Sequence, residues 1–133
     1  RIGAWAASWP QPWLLECVAG VIEDGETAEE LVCREAQEEA GCEILQLEPI
    51  ARYFSTPGAC TELVSLFCGR VDSTGLGGIY GLETENEDIF ATVWSLQDAL
   101  SALRHGAICN SMTLIALQWL ADQHGRITEE WLG

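Results

Sequence analysis

The chain has 133 residues, a length that fits one domain. Six basic residues stand against 21 acidic ones, a net charge of −15. That balance argues against binding a nucleic-acid backbone, which needs a basic patch to release counterions, and against docking on anionic membranes. Six Trp and 48% apolar residues exclude a disordered chain, and no apolar run reaches the roughly 18 residues of a membrane span.

In chain order, residues 13–22 (WLLECVAGVI) are predicted as a buried strand ending in a Gly turn. Residues 27–40 are predicted as a helix. Thr27 is its N-cap, Glu30 completes a capping box and Gly41 stops it. Residues 44–54 and 61–71 read as strands joined by the turn residues TPGAC, and residues 72–88 as a loop that is first Gly-rich, then acidic. Residues 89–94 read as another strand. Ser95 caps a helix with Leu96, Leu100 and Leu103 on one side, and Ser111 or Asn110 caps a last helix that Gly125 ends. Strands interspersed with three helices imply an α/β (α+β) sandwich with a mixed sheet. Trp13, Trp94 and Trp119 are expected in its core.

Cysteines at 17, 33, 42, 60, 68 and 109 form no CxxC pair and no zinc-spaced cluster with His. They read as buried free thiols, which implies a reducing cytoplasm. His105 and His124 lie near predicted helix ends and receive no functional role. GLGG at 75–78 lacks the strand-to-helix context and the Lys-Ser/Thr of a phosphate loop.

The helix over 27–40 carries an anomaly. At about 100° per residue, Glu35 and Glu39 fall within the arc that holds Ala28, Leu31 and Val32, and Glu38 borders it. Carboxylates on an apolar arc are costly unless a cation or donor receives them. Arg34 is placed to brace one of them. A hard divalent cation such as Mg²⁺ would receive the others, since it takes carboxylate oxygens and leaves positions for water and phosphate.

Residues 20–42 read GVIEDGETAEELVCREAQEEAGC. This resembles the Nudix box, Gly-x5-Glu-x7-Arg-Glu-U-x-Glu-Glu-x-Gly-U, with U a bulky apolar residue. Gly20, Glu26, Arg34, Glu35, Glu38, Glu39 and Gly41 match it, and the two U positions hold Ala36 and Cys42. The resemblance implies a Nudix α/β/α sandwich with a mixed sheet and a loop–helix–loop that binds two or more Mg²⁺ or Mn²⁺ ions. It also implies hydrolysis of a nucleoside diphosphate linked to another group. Metals would let an acidic protein accept an anionic diphosphate and activate water against it.

Pro57 stands 15 residues after Cys42, within STPGACTE. With PWLLECVAG, GLETENEDI at 81–89 and IALQWL at 115–120, it resembles the bacterial ADP-ribose pyrophosphatase subgroup, from Arg1 to about Trp131. Carried over position by position, the resemblance implies that the carbonyl of Ala19 and the carboxylates of Glu35, Glu39 and Glu87 hold the metals. Glu38 assists, as a ligand or through a water on the metal, and Glu85 deprotonates the attacking water. Glu85 and Glu87 are near enough in sequence to exchange these roles. Arg1, Val21, the turn Thr56-Pro57-Gly58 and Glu62 would contact substrate. The products would be AMP and ribose 5-phosphate, and the protein a cytoplasmic homodimer acting on a nucleoside diphosphate sugar.

Two departures stand out. Gly58 is followed by Ala59 where the subgroup usually has a second Gly. The single domain over 1–133 also lacks the N-terminal region that such enzymes place before the point matching Arg1. That region supplies dimerising strands and contacts to the adenine. Trp5 and Trp9 would be exposed by its loss. The alternatives are a Nudix hydrolase for another nucleotide sugar, such as GDP-mannose, and a non-catalytic nucleotide-sugar-binding module.

Overall fold

A computed structural model describes residues 13–81 and 88–133. Among these residues seven elements follow in order: α1 (Ala28–Ala40), β1 (Ile44–Phe54), β2 (Leu63–Val71), β3 (Gly78–Tyr80), β4 (Ile89–Ala91), α2 (Leu96–Arg104) and α3 (Ser111–Leu132). Helices and short sheets together make an α+β fold. Helix α1 packs on β3 and β4, and α3 packs on β1, β2 and α2.

Local chemistry sets the helix starts. The Thr27 hydroxyl accepts from Glu30 N at 3.2 Å, and Glu30 returns the bond to Thr27 N at 2.8 Å. Two amides that the helix cannot satisfy itself are thus paired. At the other end Gly41 takes the left-handed conformation (φ 63°), and its N–H closes onto Gln37 O. A side chain there would also strike Tyr80, whose ring and hydroxyl lie 2.8 Å from the Cβ position. Glycine is required at this corner on both counts. Ser95 caps α2 as expected, and Asn110 rather than Ser111 caps α3.

Strands β1 and β2 form one antiparallel pair and β3 and β4 another. The first pair slips register around Pro49, which has no N–H to give the ladder. Every pairing among the described residues is antiparallel, so the parallel partners expected of a mixed sheet are not found there. Strand β3 lies inside the stretch predicted as one loop.

Three further expectations need correction. Residues 13–22 form no strand; one backbone group each of Leu15, Cys17 and Ala19 is taken by a side chain instead, as described below. Gly125 does not end α3, which continues to Leu132 because its last turns are held on the sheet. Ile127 is buried, Arg126 reaches Glu48, and Arg70 donates to Trp131 O at 2.8 Å. His124 therefore lies within the helix. Finally, Trp13 and Trp94 are exposed, and Trp119 is only half-buried beneath the Arg126 guanidinium.

Among the described residues the buried apolar side chains are Leu31, Ala36, Cys42, Leu66, Ile108 and Ile127. All six cysteines are free, yet Cys33, Cys60 and Cys109 are exposed rather than buried. Burial raises the thiol pKa of Cys17, Cys42 and Cys68. No helix among the described residues is long and apolar enough to cross a membrane.

Candidate active site

Helix α1 organises the site. Leu31, Glu35 and Ala36 are its buried residues, so Glu35 does lie on the inward face that the sequence periodicity assigns it. Only 8% of Glu35 is exposed. An isolated carboxylate at such a place would be strongly disfavoured.

Arg34 answers this charge, and it does more than brace one carboxylate. Its Nε and Nη2 grip both oxygens of Glu26, at 2.9 and 3.3 Å. Its Nη1 donates to Glu35 Oε1 at 2.9 Å and to Glu38 Oε2 at 3.0 Å. One planar guanidinium thus organises three acids, a geometry that a lysine could not copy. These partners, Glu26 foremost, raise the Arg34 pKa and keep it charged.

Segment 13–19 completes the site from the other side. Ala19 N donates to Glu39 Oε2 at 3.0 Å. At Gly20 the backbone passes so close that a Cβ would sit 2.0 Å from Glu35 Oε1. Ala19, Gly20, Glu35, Glu38, Glu39, Arg34 and Glu26 are therefore brought together. Beside them opens a cavity of about 420 Å³, lined by residues that include Trp13, Ala19, Glu39, Asp88, Phe90 and Trp94. Asp88 is thus joined to the site's rim.

The other predicted positions are exposed or fall outside the described residues. Val21 is 84% exposed. Thr56, Pro57, Gly58 and Glu62 are exposed or nearly so on the β1–β2 hairpin, whose turn is closed by Ala59 N and Cys60 N donating to Thr56 O. There the Cys60 thiol pKa is lowered by the Glu62 amide and the Ser55 hydroxyl. Arg1, Trp5, Trp9, Glu85 and Glu87 fall outside the described residues.

The sequence pattern of the family described as NUDIX domain matches residues 3–109. The chain belongs to the NUDIX family. It is 44% identical over 131 residues to an ADP-ribose pyrophosphatase of Escherichia coli (strain K12), covering 98% of this chain and 62% of that protein. An ADP-ribose pyrophosphatase of Haemophilus influenzae is 39% identical over 133 residues, covering 98% of this chain and 61% of its own. A GDP-mannose pyrophosphatase of Cronobacter sakazakii is more distant, 31% identical over 120 residues, covering 90% and 62%. The chain spans about three-fifths of the length of these curated relatives.

In this NUDIX domain, no three His, Cys, Asp or Glu side chains among the described residues are already drawn into a metal cage. What fits a divalent ion is the donor chemistry. Three glutamates with oxygen donors share one helix and its borders, and a backbone approaches closely enough at Gly20 to offer a carbonyl beside them. Two of the three are held by Arg34 and the third by Ala19 N–H, so their orientations are constrained before any ion arrives.

The acids around this helix also tie stability to pH. The Arg34 guanidinium holds the Glu26 carboxyl below its ordinary 4.5, and Thr27 N–H holds Glu30 below the same value. Both bonds favour the ionised form in the folded state. Their contribution is therefore complete above pH 4.5 and is lost as pH falls through the lowered values. Urea midpoints are expected to drop below about pH 4.5, and Glu26→Gln to flatten that drop. An acid slope in the Glu26→Gln and Glu30→Gln variants as steep as that of the unaltered chain would contradict this.

Proposed function

We propose that this chain is the catalytic unit of a metal-dependent pyrophosphohydrolase that cleaves ADP-ribose to AMP and ribose 5-phosphate. The observation that carries the reading is the meeting of Glu35 and Glu39 with the Ala19–Gly20 backbone. The identity to the Escherichia coli and Haemophilus influenzae ADP-ribose pyrophosphatases directs it to that substrate.

Glu35, Glu39, Glu87 and the Ala19 carbonyl would hold Mg²⁺ or Mn²⁺, two ions or more, with Glu38 beside them. Bound there, the cations neutralise the diphosphate and polarise its P–O bonds. Glu85 takes the proton of the attacking water. The water oxygen joins one phosphorus, the bond from that phosphorus to the bridging oxygen breaks, and the bridging oxygen leaves with the other phosphate. Arg34 holds Glu35 and Glu38 in place throughout. Arg1, Val21, Thr56, Pro57, Gly58 and Glu62 are assigned to the substrate.

A homodimer in a reducing cytoplasm belongs to the same reading; the free thiols support the compartment. The Cronobacter sakazakii relative supports a second reading, hydrolysis of a GDP-sugar on the same residues.

The test is a panel of ADP-ribose, ADP-glucose, GDP-mannose and NADH, each with Mg²⁺ and with EDTA in excess. AMP is expected from ADP-ribose with Mg²⁺, and EDTA is expected to abolish it. Preference for GDP-mannose would move the assignment to the second reading. Binding of ADP-ribose without turnover of any substrate would leave a non-catalytic module.

A further inference from the structure

Segment 13–19 pairs with no strand among the described residues, where side chains hold it instead. At the alternate residues 15, 17 and 19, one backbone polar group each is taken by a side chain. Leu15 O accepts from Asn110 Nδ2 at 2.7 Å, Cys17 N donates to Thr113 Oγ1 at 3.0 Å, and Ala19 N donates to Glu39 Oε2 at 3.0 Å. The first two partners stand on the opening turn of α3 and the third on α1. The segment is thus a strap fastened at one end to α3 and holding a carboxylate of α1 at the other.

Asn110 is more than a helix cap. Its Oδ1 accepts from Thr113 N at 3.0 Å, which is all that capping requires, and Ser, Thr or Asp would serve there as well. Its amide is spent on Leu15. Thr113 is only 8% exposed, and its hydroxyl meets the Cys17 amide. Valine would fill the same space but leave that N–H without a partner.

We propose that Asn110 and Thr113 are positioning residues for Glu39, acting through the strap that ends at Ala19. The inference rests on the metal-site reading of Glu39 given above. If the strap slides, the Ala19 amide leaves the Glu39 carboxylate and the acid loses that orienting donor. Residues that orient a metal ligand in this way typically govern affinity by 10- to 100-fold.

The test measures Mn²⁺ alone, bound to the full chain without substrate, by the loss of the free-ion spin-resonance signal. Asn110→Ser keeps a cap but lacks the amide, Thr113→Val lacks the hydroxyl, and Thr113→Ser restores it. Asn110→Ser and Thr113→Val are expected to weaken Mn²⁺ binding about tenfold, and Thr113→Ser to bind within about twofold of the unaltered chain. Unchanged Mn²⁺ affinity in Asn110→Ser and Thr113→Val, with binding lost in Glu39→Gln, would overturn the positioning role and leave the metal site standing. A lowered melting temperature without a change in affinity would overturn it equally. Mn²⁺ binding that is absent, or indifferent to Glu39→Gln, would overturn the metal reading and this inference with it.

Discussion

Glu39→Gln is expected to lower kcat/KM for ADP-ribose by about 10²–10³-fold, the scale on which a single preorganised electrostatic group contributes to turnover. The substitution separates charge from shape. Glutamine has the same length, and its carbonyl oxygen can still accept from Ala19 N, the bond that Glu39 Oε2 makes at 3.0 Å. The negative charge is removed, and one acceptor oxygen becomes an NH2 donor. The melting temperature without metal should therefore stay close to that of the unaltered chain. Loss of one of three acids crowded on α1 even relieves like-charge repulsion. Added Mg²⁺ should protect the unaltered chain from heat and protect the variant less, because a ligand stabilises only the state that binds it. Steady-state kinetics and melting curves with and without Mg²⁺ check both halves. Unchanged turnover would remove Glu39 from the proposed metal site.

Gly20→Ala is expected to cost both stability and activity. A methyl group at Gly20 would lie 2.0 Å from Glu35 Oε1, 2.4 Å from Cδ and 2.7 Å from Cγ. No bond rotation at the tip relieves three such contacts, so the whole Glu35 side chain or the backbone at Gly20 must move. Overpacking of this kind typically costs about 1–3 kcal/mol. Here it also drags Glu35 from Arg34, which donates to it at 2.9 Å. Turnover should fall at least as far as in a Glu35→Gln variant. Combining Gly20→Ala with Glu35→Ala gives the sharper experiment. The double variant removes the clash, so its stability should exceed the sum of the single effects by about 0.5–3 kcal/mol, while activity stays lost. Strict additivity in urea unfolding would show that the two residues do not meet.

The acid pattern on α1 was legible because it breaks a rule. Glutamates on an apolar arc need an explanation, and the spacing of Gly20, Glu26, Arg34, Glu35, Glu38, Glu39 and Gly41 supplies the family's. Burial of Glu35, the capping box and the glycine stop at Gly41 all follow from short-range chemistry, and all are found in the fold. The end of the last helix departs from its local signals for the opposite reason. Gly125 is a local stop signal, but Ile127 packing and the Arg126 pair with Glu48, 78 residues away, outweigh it. Segment 13–22 has the apolar run of a strand, yet strand pairing depends on a partner that local patterning cannot name.

The sequence by itself determined the family, the charge of the site and which helix carries its acids, because these depend on residue identity and on spacing within one turn or loop. Tertiary structure alone decided how the acids are held. That Arg34 serves three carboxylates rather than one depends on where Glu26 lies once the loop before α1 has turned back on the helix. That Gly20 touches Glu35, and that Asn110 and Thr113 fasten the strap ending at Ala19, depends on elements far apart in the chain. Periodicity reports which side of an element faces inward; it does not report which distant backbone arrives there to meet it.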